Sequence, residues 1–231
     1  MEINNLGKKL LNQDEIDKFP NSFYSHAEAI FHLNEVGMDV KQTRVAEWLD
    51  VSRANVSQVT GRMQNSGLIK IQDELELTDK GMFLAKTISR RHRITERFLS
   101  EVLNLPWDKV YEESQKWENV LSTCTEDAML KLLKNPTTGP FGNPIPYSLY
   151  SKKEMHSLAD AKINRPYSVE KITEDLKKDC KIIEFLQEHN IVPGTEIIVS
   201  DSSEYSITVK IQNKRHFGLD QYVADRIFVA S

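Results

Sequence analysis

Cysteine is almost missing from this chain. Of 231 residues only Cys124 and Cys180 carry a thiol, far apart and outside any C-x-x-C spacing. That excludes a disulfide framework and leads to the expectation of a reducing, cytoplasmic setting, with the thiols as small buried or surface side chains. Long apolar runs are also missing. No stretch approaches the ~18 residues of a membrane-spanning helix, and the opening MEINNLGKKLLNQDE lacks the apolar core of a signal peptide. No membrane partner is expected. Excess positive charge is missing too: the net charge is −4, so any affinity for nucleic acid must come from a local patch. There is no nucleophile elbow, no phosphate-cradling glycine loop and no HExxH, and the histidines at 26, 32, 92, 156, 189 and 216 are scattered. An enzyme is not expected. What remains, 39% apolar and 28% charged residues, is ordinary for a globular protein of one large or two to three small domains.

The pattern along the chain is mainly helical with a little β-structure. SFYSHAEAIFHLNEVG places Phe23, Ala27, Ile30 and Phe31 at helical spacing and stops at Gly37. His26 and His32 on that helix, at i and i+6, share no face and are expected at the surface. KQTRVAEWLD is a second short helix, and SRANVSQVTGRMQNSGL is a third, capped by Ser52 and ended by Gly67. LIKIQDELELT alternates on both sides of a turn at Gln72–Asp73 and predicts a hairpin. Thr78 caps a long helix through GMFLAKTISRRHRITERFLSEVLNL, with one break expected; its apolar face from Met82 to Leu103 calls for a partner surface. NPTTGPFGNPIPYS holds four prolines and is loop, and the basic SKKEMHSLADAKINRP predicts a mobile linker. From there short alternating β runs and the helix IIEFLQEHNI predict a small barrel. The resulting domains are 1–88, 89–150, a linker at 151–168 and the barrel at 169–231.

The two short helices joined by DVS form a helix-turn-helix, and the hairpin supplies a wing. Ala46 lets the helices approach, Leu49 and Val51 bracket the turn, and Val56 and Val59 face the core. The outward face of the third helix carries Ser52, Arg53, Asn55, Ser57, Gln58 and Arg62, with Arg44 on the helix before it. From Ser52 to Lys70 there are three bases and no acid. Such a surface suits DNA: the start of the recognition helix reaches base edges while flanking side chains hold phosphates. Gln58, whose amide can pair bidentately with adenine, is the expected base reader. Further on, YEESQKWENV puts Tyr111, Gln115, Glu118 and Asn119 on one helical face, a set of oxygen donors beside Trp117.

These segments together resemble the family of metal-dependent transcriptional repressors typified by the diphtheria toxin repressor, which includes iron and manganese sensors. VAEWLDVSRANVSQVTGRMQNSGLI is similar to its winged helix, RRHRITERFLSEVLNLPWDKVYEESQKWENVLS with GPFGNPIP to its dimerisation domain, and IVPGTEIIV and HFGLDQYVADRIFV to its SH3-like barrel. The resemblance implies a winged helix-turn-helix, a helical dimerisation domain and a C-terminal SH3-like barrel. It also implies a homodimer on a palindromic operator in double-stranded DNA, with Mn(II) or Fe(II) as the ion that sets the spacing of the two heads.

The resemblance also assigns metal positions, and several are altered. At the primary site, positions that hold a thiol or carboxylate and a histidine in metal-binding members are Gln115 and Asn119, and the first-helix ligand falls at Ser25, with Glu28 one turn on. Glu118 is kept. Neutral amides are weak donors for transition metals, so this primary-type site is degenerate, and hydrogen bonds among the amides, Tyr111, Ser25 and Glu118 are expected to join the helices instead. At the ancillary site, His92 and Glu96 match the first two ligands, Tyr111 replaces a histidine, and Asp179 and Ile182 fall at the barrel positions. The set His92, Glu96 and Asp179 is therefore a candidate site; the alternative is that His92 and Glu96 form an exposed helical pair. Three functions stay open: a repressor with weak or altered metal control, a DNA-binding regulator without it, and an interaction module using the barrel.

Overall fold

The computed structural model describes residues 13–16, 18–211 and 215–231; the chain up to residue 12, and with it most of the opening stretch read above for a signal segment, lies outside the described residues. Two compact units divide the chain. One holds the described residues up to His92 together with Lys116–Leu132; the other holds Arg93–Gln115 and Leu133–Ser231. No described helix is long and apolar enough to cross a membrane.

The first unit contains α1 (Gln13–Ile16), α2 (Asn21–Glu35), α3 (Gln42–Leu49), α4 (Arg53–Asn65), β1 (Ile69–Ile71), β2 (Leu75–Leu77), the start of α5 (Asp79–Glu101), the end of α6 (Trp107–Glu118) and α7 (Thr123–Leu132). Its core is built from helical-period residues, Ile30, Leu33, Val45, Val56, Met63, Leu84 and Ile88 among them, joined by Leu68 from the turn before the wing. Each such burial stabilises by roughly 1.5–3 kcal/mol. Between α3 and α4 Asp50 takes the left-handed conformation, φ 52°, a turn that aspartate tolerates better than most residues. Val51 N–H then donates to the Ala46 carbonyl at 3.1 Å. Ser52 caps α4, its Oγ accepting from Asn55 N–H at 3.2 Å. The wing pairs Ile69 with Leu77 and Ile71 with Leu75, and Leu75 N–H bonds the Val40 carbonyl at 2.8 Å.

Two expectations change here. α2 is enclosed on nearly every side: from Phe23 to Leu33 only Ser25 is exposed. His26 and His32 are therefore buried rather than on the surface, and burial holds the His26 imidazole below its ordinary pKa, in the neutral form. His32 Nε2 lies 3.3 Å from Ser89 Oγ. The long helix α5 also runs without a break. Its apolar residues Leu84, Ala85, Ile88, Ile94 and Leu99 are buried within the subunit, leaving Val102 and Leu103 just beyond its end exposed. The apolar face thus turns mostly inward.

The second unit holds the rest of α5, most of α6 and the C-terminal sheet. Its elements are β3 (His156–Ser157), β4 (Pro166–Ile172), α8 (Cys180–Glu188), β5 (Glu196–Ser202), β6 (Ser206–Ile211), β7 (Arg215–Asp220), α9 (Gln221–Ala224) and β8 (Ile227–Ala230). The strands pair antiparallel in the order β3-β8-β4-β5-β6-β7, an SH3-like arrangement. Strand alternation sends Val169, Ile197, Val199, Ile207, Val209 and Val229 inward. The stretch 151–168, expected as a linker, is in part sheet. His156 and Ser157 pair with Val229 and Phe228, and Pro166, Tyr167 and Ser168 pair with Ile198, Ile197 and Glu196. A two-residue strand followed by a helical turn leaves no period to read, so polar composition dominated. Nor is the proline-rich loop loose. Phe141 carbonyl accepts from Ile172 N–H at 2.8 Å, and Asn143 Nδ2 donates to the Ile172 carbonyl at 2.8 Å. Gly142 has φ +83°, and a side chain there would collide with the Glu170 carbonyl.

Candidate metal centre and DNA-reading surface

On α4 burial alternates as a recognition helix requires. Val56, Val59, Thr60 and Met63 are buried, whereas Ser52, Arg53, Asn55, Ser57, Gln58 and Arg62 are exposed. Arg62 sets its guanidinium over the Phe23 ring, 5.3 Å from its centroid, a cation–π contact that restrains the charged head. Arg44 is exposed beside Glu47 at 3.8 Å, a solvated pair that restrains it little. Lys41 and Arg53 line a cleft of about 320 Å³ together with Gln72, Asp73 and Glu74 of the wing. Helix and wing therefore share one polar edge.

Beneath this head lies a buried polar cluster. Glu28 on α2, His92 on α5 and Glu118 at the end of α6 bring donor atoms within 4.8 Å of one another, and all three residues are buried. His92 Nδ1 is 2.5 Å from Glu118 Oε2. A carboxylate only accepts, so Nδ1 carries the proton and donates. In a neutral imidazole this leaves the Nε2 lone pair as donor, the tautomer that metal-binding histidines use. Two carboxylates and one imidazole suit Mn(II) or Fe(II). Glu28 Oε1 also stands 3.9 Å from His32 Nε2. Beside the cluster Glu126 on α7 receives Arg90 at 2.6 Å and Arg91 at 3.5 Å, pairing those charges inside the same unit.

The altered positions are less deeply buried. Ser25 is exposed and its Oγ donates to the Ser22 carbonyl at 3.3 Å, within its own helix. Gln115 is exposed and Asn119 half-buried, so the face expected from YEESQKWENV is not uniformly inward. Of the four side chains named there, Glu118 is the buried one. The exposed-pair reading of His92 and Glu96 fails, because both are buried, 2% and 0% exposed. Asp179 is used otherwise: exposed, it caps α8, its Oδ1 accepting from Lys181 N–H and Ile182 N–H at 3.1 Å each.

In the second unit the barrel-side carboxylate near Glu96 is Glu174. Lys177 Nζ stands 2.6 Å from Glu96 Oε1 and also pairs with Glu174 Oε2. Arg93 Nε reaches Glu174 Oε1 at 3.0 Å, and its Nη1 donates to the Pro144 carbonyl at 2.5 Å. Sequence reasoning missed both Glu174 and Lys177, since EKITEDLKKD reads as a solvated charge run. The available sign was their i, i+3 spacing directly after Ile172, where the strand's alternation ends.

Known proteins share this arrangement. Residues 78–147 match the family described as "Iron dependent repressor, metal binding and dimerisation domain", and residues 156–231 match the "FeoA domain". The iron-dependent repressor IdeR of Mycobacterium tuberculosis is 33% identical over 217 residues, covering 88% of this chain and 94% of its own length. The diphtheria toxin repressor of Corynebacterium efficiens is 32% identical over 196 residues, 79% of this chain and 85% of its own. A manganese-dependent transcriptional repressor in complex with manganese matches in fold, with a TM-score of 0.83 at 24% identity over 90% of this chain and 99% of that one. From winged head to small C-terminal sheet, and by identity over most of its length, the chain belongs to the diphtheria-toxin-repressor-type family of metal-dependent transcriptional repressors, which are not enzymes.

Proposed function

We propose that this protein is a homodimeric repressor that binds a palindromic operator in double-stranded DNA and is tuned by one divalent transition metal per subunit, Mn(II) or Fe(II), at Glu28, His92 and Glu118. The observation that carries the metal reading is the buried convergence of these three donors from α2, α5 and α6. Bound there, the ion would supply a divalent charge between two carboxylates. The chain's own residues do the rest: Glu28 anchors the head helix α2, and Glu118 orients the His92 ring. The site is reduced, because Ser25, Gln115 and Asn119 supply no carboxylate, thiolate or imidazole where fuller members have one. Metal control is accordingly weaker than a larger donor set would give.

A second reading has its own observation. The 2.5 Å bond between His92 and Glu118 already joins α5 to α6 without an ion, so a dimer competent in chelator is the alternative. Operator affinity, measured by fluorescence anisotropy in chelator and with Mn(II) or Fe(II), separates the two. Metal control requires a gain of at least about tenfold, equivalent to ~1.4 kcal/mol; equal affinity selects the metal-free reading. Recognition by α4 is tested with Gln58→Ala, expected to cost about 1–3 kcal/mol on the selected operator and to relax one base position. Unchanged binding would favour the barrel as the interaction surface instead. Dimerisation is supported by the apolar side chains left in solvent, Val120 and Leu132 in the first unit and Leu103 and Leu149 in the second; sedimentation checks it.

A further inference from the structure

We propose that Lys177 is a built-in cation: its ammonium takes the part a second, ancillary ion would play, and fastens the barrel to α5 in the absence of metal. The resemblance leads one to expect an ion bridging Glu96 to a barrel carboxylate. Glu96 and Glu174 could supply carboxylates to one, but both already face an ammonium. Lys177 is buried with its side chain 0% exposed, and its Nζ already lies between Glu96 and Glu174. The charges close. Arg93 and Lys177 bring two positive charges, Glu96 and Glu174 two negative ones, and all four residues are buried. A divalent ion added to this quartet would leave two uncompensated charges in a medium that tolerates none.

The surroundings are shaped for an ammonium. Lys177 Nζ lies 4.9 Å from the centroid of the Phe141 ring and 5.8 Å from that of Tyr111. Aromatic faces attract a cation without ligating a metal. Tyr111 thus offers a ring face where several relatives would offer a histidine nitrogen. Gly139 closes the site: a Cβ there would come 3.3 Å from Glu96 Oε2 and 3.4 Å from Arg93 Cβ. Helix α5, the proline-rich loop and the turn after β4 are held at one point by charges the chain itself supplies.

Two measurements on the full-length protein test this. The first is hydrogen exchange of wild-type β4 and the turn Leu176–Lys178 in chelator and in excess Mn(II). Protection equal within about twofold is expected, and a tenfold gain on adding metal would overturn the proposal. The second is the content of tightly bound Mn(II) after dialysis. Two ions per subunit would overturn the proposal, while zero would sink the regulatory site at Glu28, His92 and Glu118 and leave this one standing. Lys177→Gln sharpens the result: protection of β4 should fall at least about tenfold in chelator, with α4 in the other unit as internal control. Full protection of β4 in that variant would refute the role of Lys177, and if the variant does not fold, the wild-type exchange decides.

Discussion

Two buried polar clusters on one helix are built from different groups. In the first unit Glu28, His92 and Glu118 bring two carboxylates and an imidazole together. In the second, Arg93, Glu96, Glu174 and Lys177 bring two charges of each sign. Both are buried, so burial alone does not mark a metal site. What faces the carboxylates does. Two carboxylates facing an imidazole offer ligands to a cation from outside, whereas a lysine placed between the carboxylates removes the invitation.

The comparison breaks most visibly in the balanced cluster. Glu174→Gln leaves Arg93 and Lys177 sharing one carboxylate, and the cost of such a broken buried pair is about 3–5 kcal/mol. A thermal melt of the second unit should show it with or without metal. The matching change in the first cluster should behave differently. In Glu118→Gln the amide oxygen can still accept the His92 Nδ1–H, so stability in chelator should fall by no more than about 1–1.5 kcal/mol. The response of operator affinity to Mn(II), at least about tenfold or ~1.4 kcal/mol in the parent, should vanish. If both variants lost the same stability and neither changed the metal response, the contrast between the clusters would be wrong.

Legibility followed the same division. Helical spacing gave α2, α3 and α4, and the caps Ser52 and Thr78 lie where expected, Thr78 Oγ1 accepting from Gly81 N–H at 3.1 Å. The outward set on α4 was readable because an amphipathic helix declares its wet face. Buried charge was not. RRHRITE looks like a solvated helical face, yet Arg91, His92, Arg93 and Glu96 are all buried, because their partners come from residues such as Glu118, Glu126, Glu174 and Lys177 that no local pattern connects to them. For the same reason the resemblance points to Asp179 as the barrel ligand, five residues beyond Glu174, the carboxylate that shares Lys177 with Glu96.

Asp179 is where that correction can be tested with the smallest effect. Its carboxylate caps α8 and is exposed, so Asp179→Ala should cost only a helix cap, about 1 kcal/mol. The loss should appear in the melt of the second unit and be restored by Asp179→Ser, a residue that caps but ligates poorly. Metal content and the Mn(II) response of operator binding should be the same in both variants as in the parent. A drop in bound metal with Asp179→Ala, unrepaired by Asp179→Ser, would return Asp179 to the role of ligand and require the turn after β4 to rearrange when the ion binds. Lys177 would then have to leave its two carboxylates, and hydrogen exchange in that turn would rise with metal instead of staying level.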